Sequence, residues 1–419
     1  MENDVLKTER FKGEIEIDGV ASNVTFALSA GPDFRLKFEI DPIDTELYLR
    51  AMGRSGKPGE KEQSLAIRGE SDEGKRVSSD NLFLNRVGSN GNGYYINVTS
   101  SLATVTTPLA RPVKAPLLRL WFRSFRSFRN PLLETPLGLL EVHGDTHVDD
   151  PDKVSGAVAI QAYSSEVGEG WYSAADDFLR HMHRGLAFAH GGRLQTPRLD
   201  YSTGELATTT FFAGRGFQSE FPVFHQLNHG PFIHALVDRY WSKGPLHEEI
   251  WNALNWMQTG STFDEIRFLT GMTAIETIVE SQLPIKKGTI IPKSKFRELR
   301  DKIEEVISRN EFLSIETKEK FNNGVASLNR KTLREKIDAL FDQFQMSRQD
   351  FGGEAIGGLV GLRNEIVHRG AIPENKEIWP QILLVREIIT RIILSEIGFS
   401  GKYLCYVGSY DERSFPYEE

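Results

Sequence analysis

Three side chains in the last sixth of the chain have the types and spacing for phosphodiester chemistry: Arg363, Asn364 and His368. On an α-helix a residue four positions on is rotated by only about 40°, so Asn364 and His368 share a face. Arg363 stands about 140° from His368, yet its side chain is long enough to reach the same groove. Cleavage at a ribose needs a group to take the 2′-hydroxyl proton, a group to protonate the departing 5′-oxygen, and a cation for the phosphorane. A histidine, with an ordinary pKa of about 6.5, suits either proton step near neutrality. An arginine supplies permanent charge in a fork that fits phosphate oxygens. Asn364 can hydrogen-bond the phosphate or orient the imidazole, and the scheme calls for no metal and no cofactor. Spacing alone is weak support, because Arg184 and His190 repeat a similar separation with Gly185 in place of a polar helper. The plainer reading is a helix-terminal Arg and His making caps and surface pairs beside Gly370.

These residues need a helix to hold them, and the stretch from Gly352 to Gly370 reads as one over about Glu354 to His368. Gly353, Gly357 and Gly361 recur every four residues with Gly358 beside them. Each glycine costs a soluble helix about 1 kcal/mol relative to alanine. Close approach of another helix is the expected offset, from the same chain first and otherwise from a partner subunit. From about Pro245 the whole texture is helical: Glu248 to Met257, Thr262 to Glu280, Ser294 to Ile307, Lys331 to Phe344 and Pro380 to Ile397. Thr262 with Glu265 makes a capping box, and Pro284 closes that helix. The expectation is an all-α bundle of four to six helices.

The N-terminal part has the other period. Phe11–Ile17, Val24–Leu28, Phe34–Ile40, Leu65–Ile67, Leu82–Leu84 and Tyr94–Val98 alternate, with loops such as Gly88–Gly93 between them. They predict an antiparallel sandwich or barrel-like domain. Leu139–Val142 and Val158–Ile160 continue the pattern, residues 171–190 read as a helix with Ser173 as N-cap, and strands return near Arg198–Tyr201 and Thr208–Ala213. The resulting fold class is α+β and multidomain. A β-rich domain spans 1–165, a mixed region spans 166–244 either as a connector or as part of the first domain, a helical bundle spans 245–412, and a tail spans 413–419.

Residues 111–130 place Arg119, Arg123 and Arg126 beside Leu118, Trp121, Phe122, Phe125 and Phe128. On a helix these form a basic stripe along an aromatic face, able to hold phosphates and stack bases. A plain amphipathic helix gives the same pattern, and a strand is also open because Pro112 and Pro116 crowd the start. His181, His183, His190, His225, His229, His234 and His247 cluster in the middle of the sequence. His225 and His229 have the spacing of a zinc-helix pair, but no glutamate base accompanies them and Gly230-Pro231 argues against a helix there. No metal site is expected.

Composition sets the frame. The chain has 419 residues, a formal charge of −8 and one cysteine, Cys405. Its length implies more than one domain. The acidic balance gives no global basic signature, so any nucleic acid must meet a local patch. A single cysteine forms no internal disulfide, which points to the reducing cytoplasm. The start, Met-Glu-Asn-Asp-Val-Leu-Lys, has no signal-peptide pattern. Ile382–Ile397 carries Arg386, Glu387, Arg391 and Glu396, so it is a buried soluble helix and not a membrane span.

The run Leu359-Val-Gly-Leu-Arg-Asn-Glu-Ile-Val-His-Arg-Gly370 resembles the signature of the HEPN superfamily, an Arg, a polar residue and a His on one helix. The resemblance covers roughly residues 250–410, including Ala274-Ile-Glu276 and Ile397-Gly-Phe-Ser-Gly-Lys-Tyr403. With its β-rich N-terminal region the chain is most similar to ApeA-type anti-phage proteins, more loosely at the N-terminal end. What this resemblance implies is a metal-independent endoribonuclease cutting tRNA or other cellular RNA in anti-phage or abortive-infection defence. It further implies a homodimer with one Arg/His pair from each subunit, and a phage-derived trigger as a further partner. Arg363, Asn364 and His368 match the catalytic positions. Glu365 and Glu276 match less specifically and, with Arg369, Arg119, Arg123 and Arg126, are the candidates for substrate contact. The competing expectation is a non-catalytic RNA- or nucleotide-binding adaptor or sensor, and a third is a purely structural interaction protein.

Overall fold

The computed structural model describes residues 8–53, 65–91, 93–128, 131–217, 221–258, 261, 263–284, 288–351, 353–370, 372 and 377–416. The chain divides into two compact units, Met1–Lys243 and Gly244–Glu419.

The first unit is built on β-strands. β1 (Glu9–Ile17), β2 (Val20–Ala30), β3 (Leu36–Ile43), helix α1 (Thr45–Gly53), β4 (Leu65–Glu70), β5 (Arg76–Asn90) and β6 (Gly93–Pro108) come first. The strands run antiparallel in the order β3-β2-β1-β4-β5-β6, and β3 pairs back onto β6, closing a barrel. Period-two alternation sends Phe11, Ile15, Phe26, Phe38, Ile67 and Val98 inward, each 1% exposed or less. Gly13 lies where β1 crosses β4, and a Cβ there would stand 1.9 Å from the Arg68 carbonyl oxygen, so only glycine fits.

β7 (Leu117–Arg123), β8 (Leu132–Thr135), β9 (Gly138–Gly144), β10 (Val154–Gln161), helix α2 (Trp171–His190), β11 (Arg198–Thr203), β12 (Leu206–Phe212) and helix α3 (His229–Lys243) complete the unit. The far half of β6 pairs with β12, and the order continues β12-β11-β7-β10-β9-β8. One strand therefore serves both the barrel and the outer sheet, and β11 and β12, with α2 and α3, belong to the same compact unit, which ends at Lys243.

Several local expectations are settled or corrected. Of the two readings open at 111–130, helix or strand, Leu117–Arg123 takes the strand as β7, whose two neighbours β10 and β11 bury it and impose the strand period. As Gly230-Pro231 suggests, His225 and His229 do not share one α-helix: His225 is extended ahead of a 3-10 turn at Gln226–Asn228, and α3 begins only at His229. α2 is capped by Gly170 with no side-chain bond, not by Ser173. The expected loop at 88–93 is a tight hairpin in which Asn90 pairs with Gly93.

The histidine cluster also resolves. His181 binds the Leu236 carbonyl at 3.2 Å, His183 the Leu194 carbonyl at 2.7 Å, and His229 stacks on Phe125. Among the described residues no three His, Cys, Asp or Glu side chains are grouped to hold a metal ion. Burial pushes His181 and His229 down to about 4, only partly opposed at His181 by the Leu236 carbonyl. The unfolded chain would bind these protons at a pKa of about 6.5, so stability is full above that pH and drains away as the pH falls toward about 4. Each histidine is expected to contribute up to about 3 kcal/mol of this loss. Urea unfolding at pH 7.5 and pH 5 should show it, with a flatter pH profile in His229→Phe.

The second unit comprises α4 (Glu248–Met257), α5 (Asp264–Gln282), α6 (Lys293–Arg309), α7 (Ile315–Ser327), α8 (Leu333–Gln343), α9 (Gly353–Arg369), α10 (Trp379–Ile397), β13 (Gly401–Leu404) and β14 (Glu412–Phe415). Seven helices stand among the described residues against the four to six expected. α7 escaped detection because its sequence is largely polar, with no clear apolar stripe. α8 starts with a complete capping box between Thr332 and Glu335. At α5 the N-cap is Phe263, and Thr262 lies outside the described residues. α5 ends at Gln282, two residues before Pro284. α10 is the most deeply buried helix of the unit, with Ile388, Ile389, Ile392 and Ile393 fully buried. No helix among the described residues is long and apolar enough to cross a membrane.

Candidate active site on the ninth helix

α9 turns Ile356, Leu359, Leu362 and Ile366 into the second unit, at helical spacing, where α5 and α8 pack on it. At 100° per residue, Gly357, Gly361, Asn364 and His368 line the opposite side. Asn364 and His368 are exposed. Gly370, at φ +73°, ends the helix and donates to the Ile366 carbonyl at 2.7 Å. His368 and Arg369 thus occupy the last turn, where cationic side chains complement the helix dipole.

Arg363 sits between the buried and open sides and is 34% exposed. Its Nη2 meets Glu276 Oε1 on α5 at 3.1 Å, and its Nη1 donates to Asn364 Oδ1 at 3.2 Å. Among the described residues two of the five guanidinium N–H donors are engaged. His368 makes no hydrogen bond or ion pair to a described residue and projects from the helix end. Arg363, Asn364, Glu276 and His368 therefore belong to one neighbourhood of the second unit. Glu365 is half-buried on the adjoining side of the helix, and Arg369 is exposed.

The three arginines of the aromatic stretch lie in the first unit and differ from one another. Arg123 is corrected as a ligand contact: it is 1% exposed, donates to the carbonyls of Asp152 and Pro32, and stacks on Phe34. It holds backbone together and presents no open face. Arg119 lies over Trp121, and Arg126 is exposed while donating to the Val148 carbonyl.

The glycine flank of α9 is open. A Cβ at Gly358 or Gly361 would meet nothing within 4 Å, and at Gly357 it would meet only the tip of Arg334 at 3.3 Å. The expected offset from a helix of the same chain is absent at these positions.

A buried ionic network, unforeseen as a unit, fixes the segment that enters α9. Glu387 on α10 is fully buried and accepts from Arg391 Nε at 2.6 Å, Tyr403 Oη at 2.6 Å and the Tyr406 N–H at 2.7 Å. Arg391 also binds Asp350 and lies over Phe351, and Arg413 meets Asp350 at 3.1 Å. Burial opposes the Arg391 charge, but Glu387 and its companions overcome this and raise its pKa. Asp350, despite burial, is held below the usual carboxylate range by Arg391 and Arg413. The signal was present in the sequence: Glu387 and Arg391 stand four apart, the spacing of an ion pair, on a helix rich in isoleucine and leucine. Cys405 lies in the same buried region, where burial and Glu387 push its thiol up, away from nucleophilic use.

Residues 269–403, from within α5 to β13, match the model of the Apea-like HEPN family. The second unit contains an Apea-like HEPN domain. The match spans about a third of the chain and includes Glu276, Arg363, Asn364 and His368. HEPN domains are commonly ribonucleases and often act as dimers. No curated protein and no solved structure matches the chain.

Proposed function

We propose that this protein is a metal-independent endoribonuclease of HEPN type that cuts tRNA or other cellular RNA in anti-phage or abortive-infection defence. The observation that carries the reading is the exposed end of α9, where His368 bonds to no described residue and Arg363 is braced by Glu276. In the reaction the ribose 2′-oxygen forms a bond to phosphorus as its proton passes to a base. The bond from phosphorus to the 5′-oxygen then breaks as that oxygen receives a proton. The products are a 2′,3′-cyclic phosphate and a 5′-hydroxyl. His368 serves one proton step, Arg363 stabilises the phosphorane, and Asn364 orients phosphate or imidazole. One histidine cannot act as base and acid at the same moment, so a second subunit supplies the other Arg363/His368 pair.

Gly357 and Gly361 support that assembly, because they line the same face of α9 as Asn364 and His368. Gly361→Leu places its side chain in open space within the subunit, so the subunit is expected to stay folded while the dimer weakens and cleavage drops. Light scattering checks this, and an undiminished dimer would remove the glycine face from the interface. The decisive assay incubates purified protein with end-labelled RNA in excess chelator. Fragments ending in 2′,3′-cyclic phosphate are expected. RNA that is bound but uncut would instead favour an adaptor or sensor. Cytoplasmic action and activation by a phage-derived trigger form part of the same reading.

A further inference from the structure

A second feature of the helical unit lies outside the Arg363/His368 neighbourhood. A groove of about 560 Å³ opens between the end of α5, the start of α6 and the segment from Asn329 to Lys336. Lys293, Arg297, Arg300, Arg330 and Lys336 line it against one carboxylate, Glu280. Five cations facing one acid is the reverse of a chain with formal charge −8. Lys336 is paired with Glu280, and Arg300 with Glu304 at 3.3 Å. Lys293, Arg297 and Arg330 are exposed and form no ion pair among the described residues.

The groove is held by backbone, not by chance side-chain positions. Ile290 donates to the Asn329 carbonyl at 3.0 Å, and Lys331 to the Gly288 carbonyl at 3.1 Å. The buried Asn329 side chain bonds both the N–H and the carbonyl of Ile291, at 2.9 Å each. This zipper brings Arg330 beside the start of α6. There Lys293 occupies the first turn with no acidic residue to accompany it, although the helix dipole favours anions at that end. Cations converging at a positive helix end repel one another and the dipole, and an anionic ligand relieves both. Half-buried Phe296 offers a ring on the same wall.

We infer that this groove is a track for single-stranded RNA, binding backbone phosphates through Lys293, Arg297 and Arg330 and stacking a base on Phe296. Continuity with the cleavage residues selects a strand over a mononucleotide. Glu280 follows Glu276 by one turn on α5, a rise of about 6 Å on the same face, and Glu276 holds Arg363. The inference deepens the ribonuclease reading and rests on it for the choice of RNA.

The test measures binding apart from cutting. Full-length His368→Ala protein is titrated with a fluorescent twelve-nucleotide oligouridylate at several salt concentrations, with and without K293A/R297A/R330A. The triple substitution is expected to weaken binding at least tenfold and to lower the slope of log affinity against log salt by about 2, at about 0.7 per lost phosphate contact. The charge-keeping K293R/R297K/R330K set is expected to restore affinity. Unchanged affinity in the alanine set overturns the track. Failure of the charge-keeping set to restore affinity assigns the loss to the fold and overturns it too. Loss of uridine monophosphate binding with oligouridylate binding intact also overturns it, in favour of a mononucleotide pocket. If the unsubstituted protein leaves RNA uncut in chelator while the alanine set loses affinity, the track stands and the nuclease reading falls. If RNA is cut normally while the alanine set binds as before, the nuclease reading stands and the track falls.

Discussion

Alanine at position 368 is expected to slow RNA cleavage by about 10²–10⁴-fold while leaving the protein as stable as before. The two halves of that expectation have separate origins. The imidazole is the one ring among the described residues at the exposed end of α9 of a type that serves in general acid–base catalysis, and positioned acid–base catalysis is worth about that factor. Stability is spared because His368 is exposed and bonds to no described residue, so truncation opens no cavity and leaves no partner unsatisfied. Alanine is also the better helix former. Arg363→Lys separates charge from geometry: the charge remains, but the fork that meets both Glu276 and phosphate is lost. Its expected loss is smaller than that of Arg363→Ala but well above assay error. Initial rates on one labelled RNA, with melting temperatures of each variant, check the set. Undiminished cleavage by His368→Ala would remove this histidine from the chemistry.

Arg391→Met is expected to destabilise the helical unit by about 3–5 kcal/mol, the usual consequence of stranding one member of a buried ion pair. Glu387 is 0% exposed and would keep only Tyr403 and the Tyr406 N–H as partners. Asp350 would still hold Arg413. Replacing both charges with apolar groups of similar size, Glu387→Leu with Arg391→Met, should recover most of the loss, because neither charge is then left in the interior. Urea unfolding of the two single variants and the double gives the coupling directly. Losses below about 1 kcal/mol in Arg391→Met would mean that water reaches Glu387 after all. The network matters for function because Asp350 and Phe351 lie directly before α9. Loosening them frees the helix that carries Arg363 and His368.

Much of this organisation was legible because local and global preferences agree. α2, α4 and α9 bury apolar residues at helical spacing, and β1 and β2 alternate cleanly with one face in the barrel. One choice left open by the residues alone is decided by packing. In β7, Arg119 and Arg123 are four apart, a spacing that shares a face on both a helix and a strand, and only the flanking β10 and β11 decide between them. The motif on α9 was readable from one element, as was its partner Glu276 from the resemblance. The basic groove was not, because Lys293 and Arg330 lie far apart in sequence and meet only through the pairing of 288–291 with 329–331.

The strand shared between barrel and outer sheet bears on how the protein keeps to itself. Among the described residues twelve strands form one sheet, and an open sheet of that size would offer two terminal strands to any neighbouring chain. Here β3 folds back onto β6, so one terminus is consumed by the barrel. The other is β8, four residues long and too short to template an intruding strand. Aggregation through sheet edges is thereby discouraged by topology itself, without the charged guard residues that an open sheet would need.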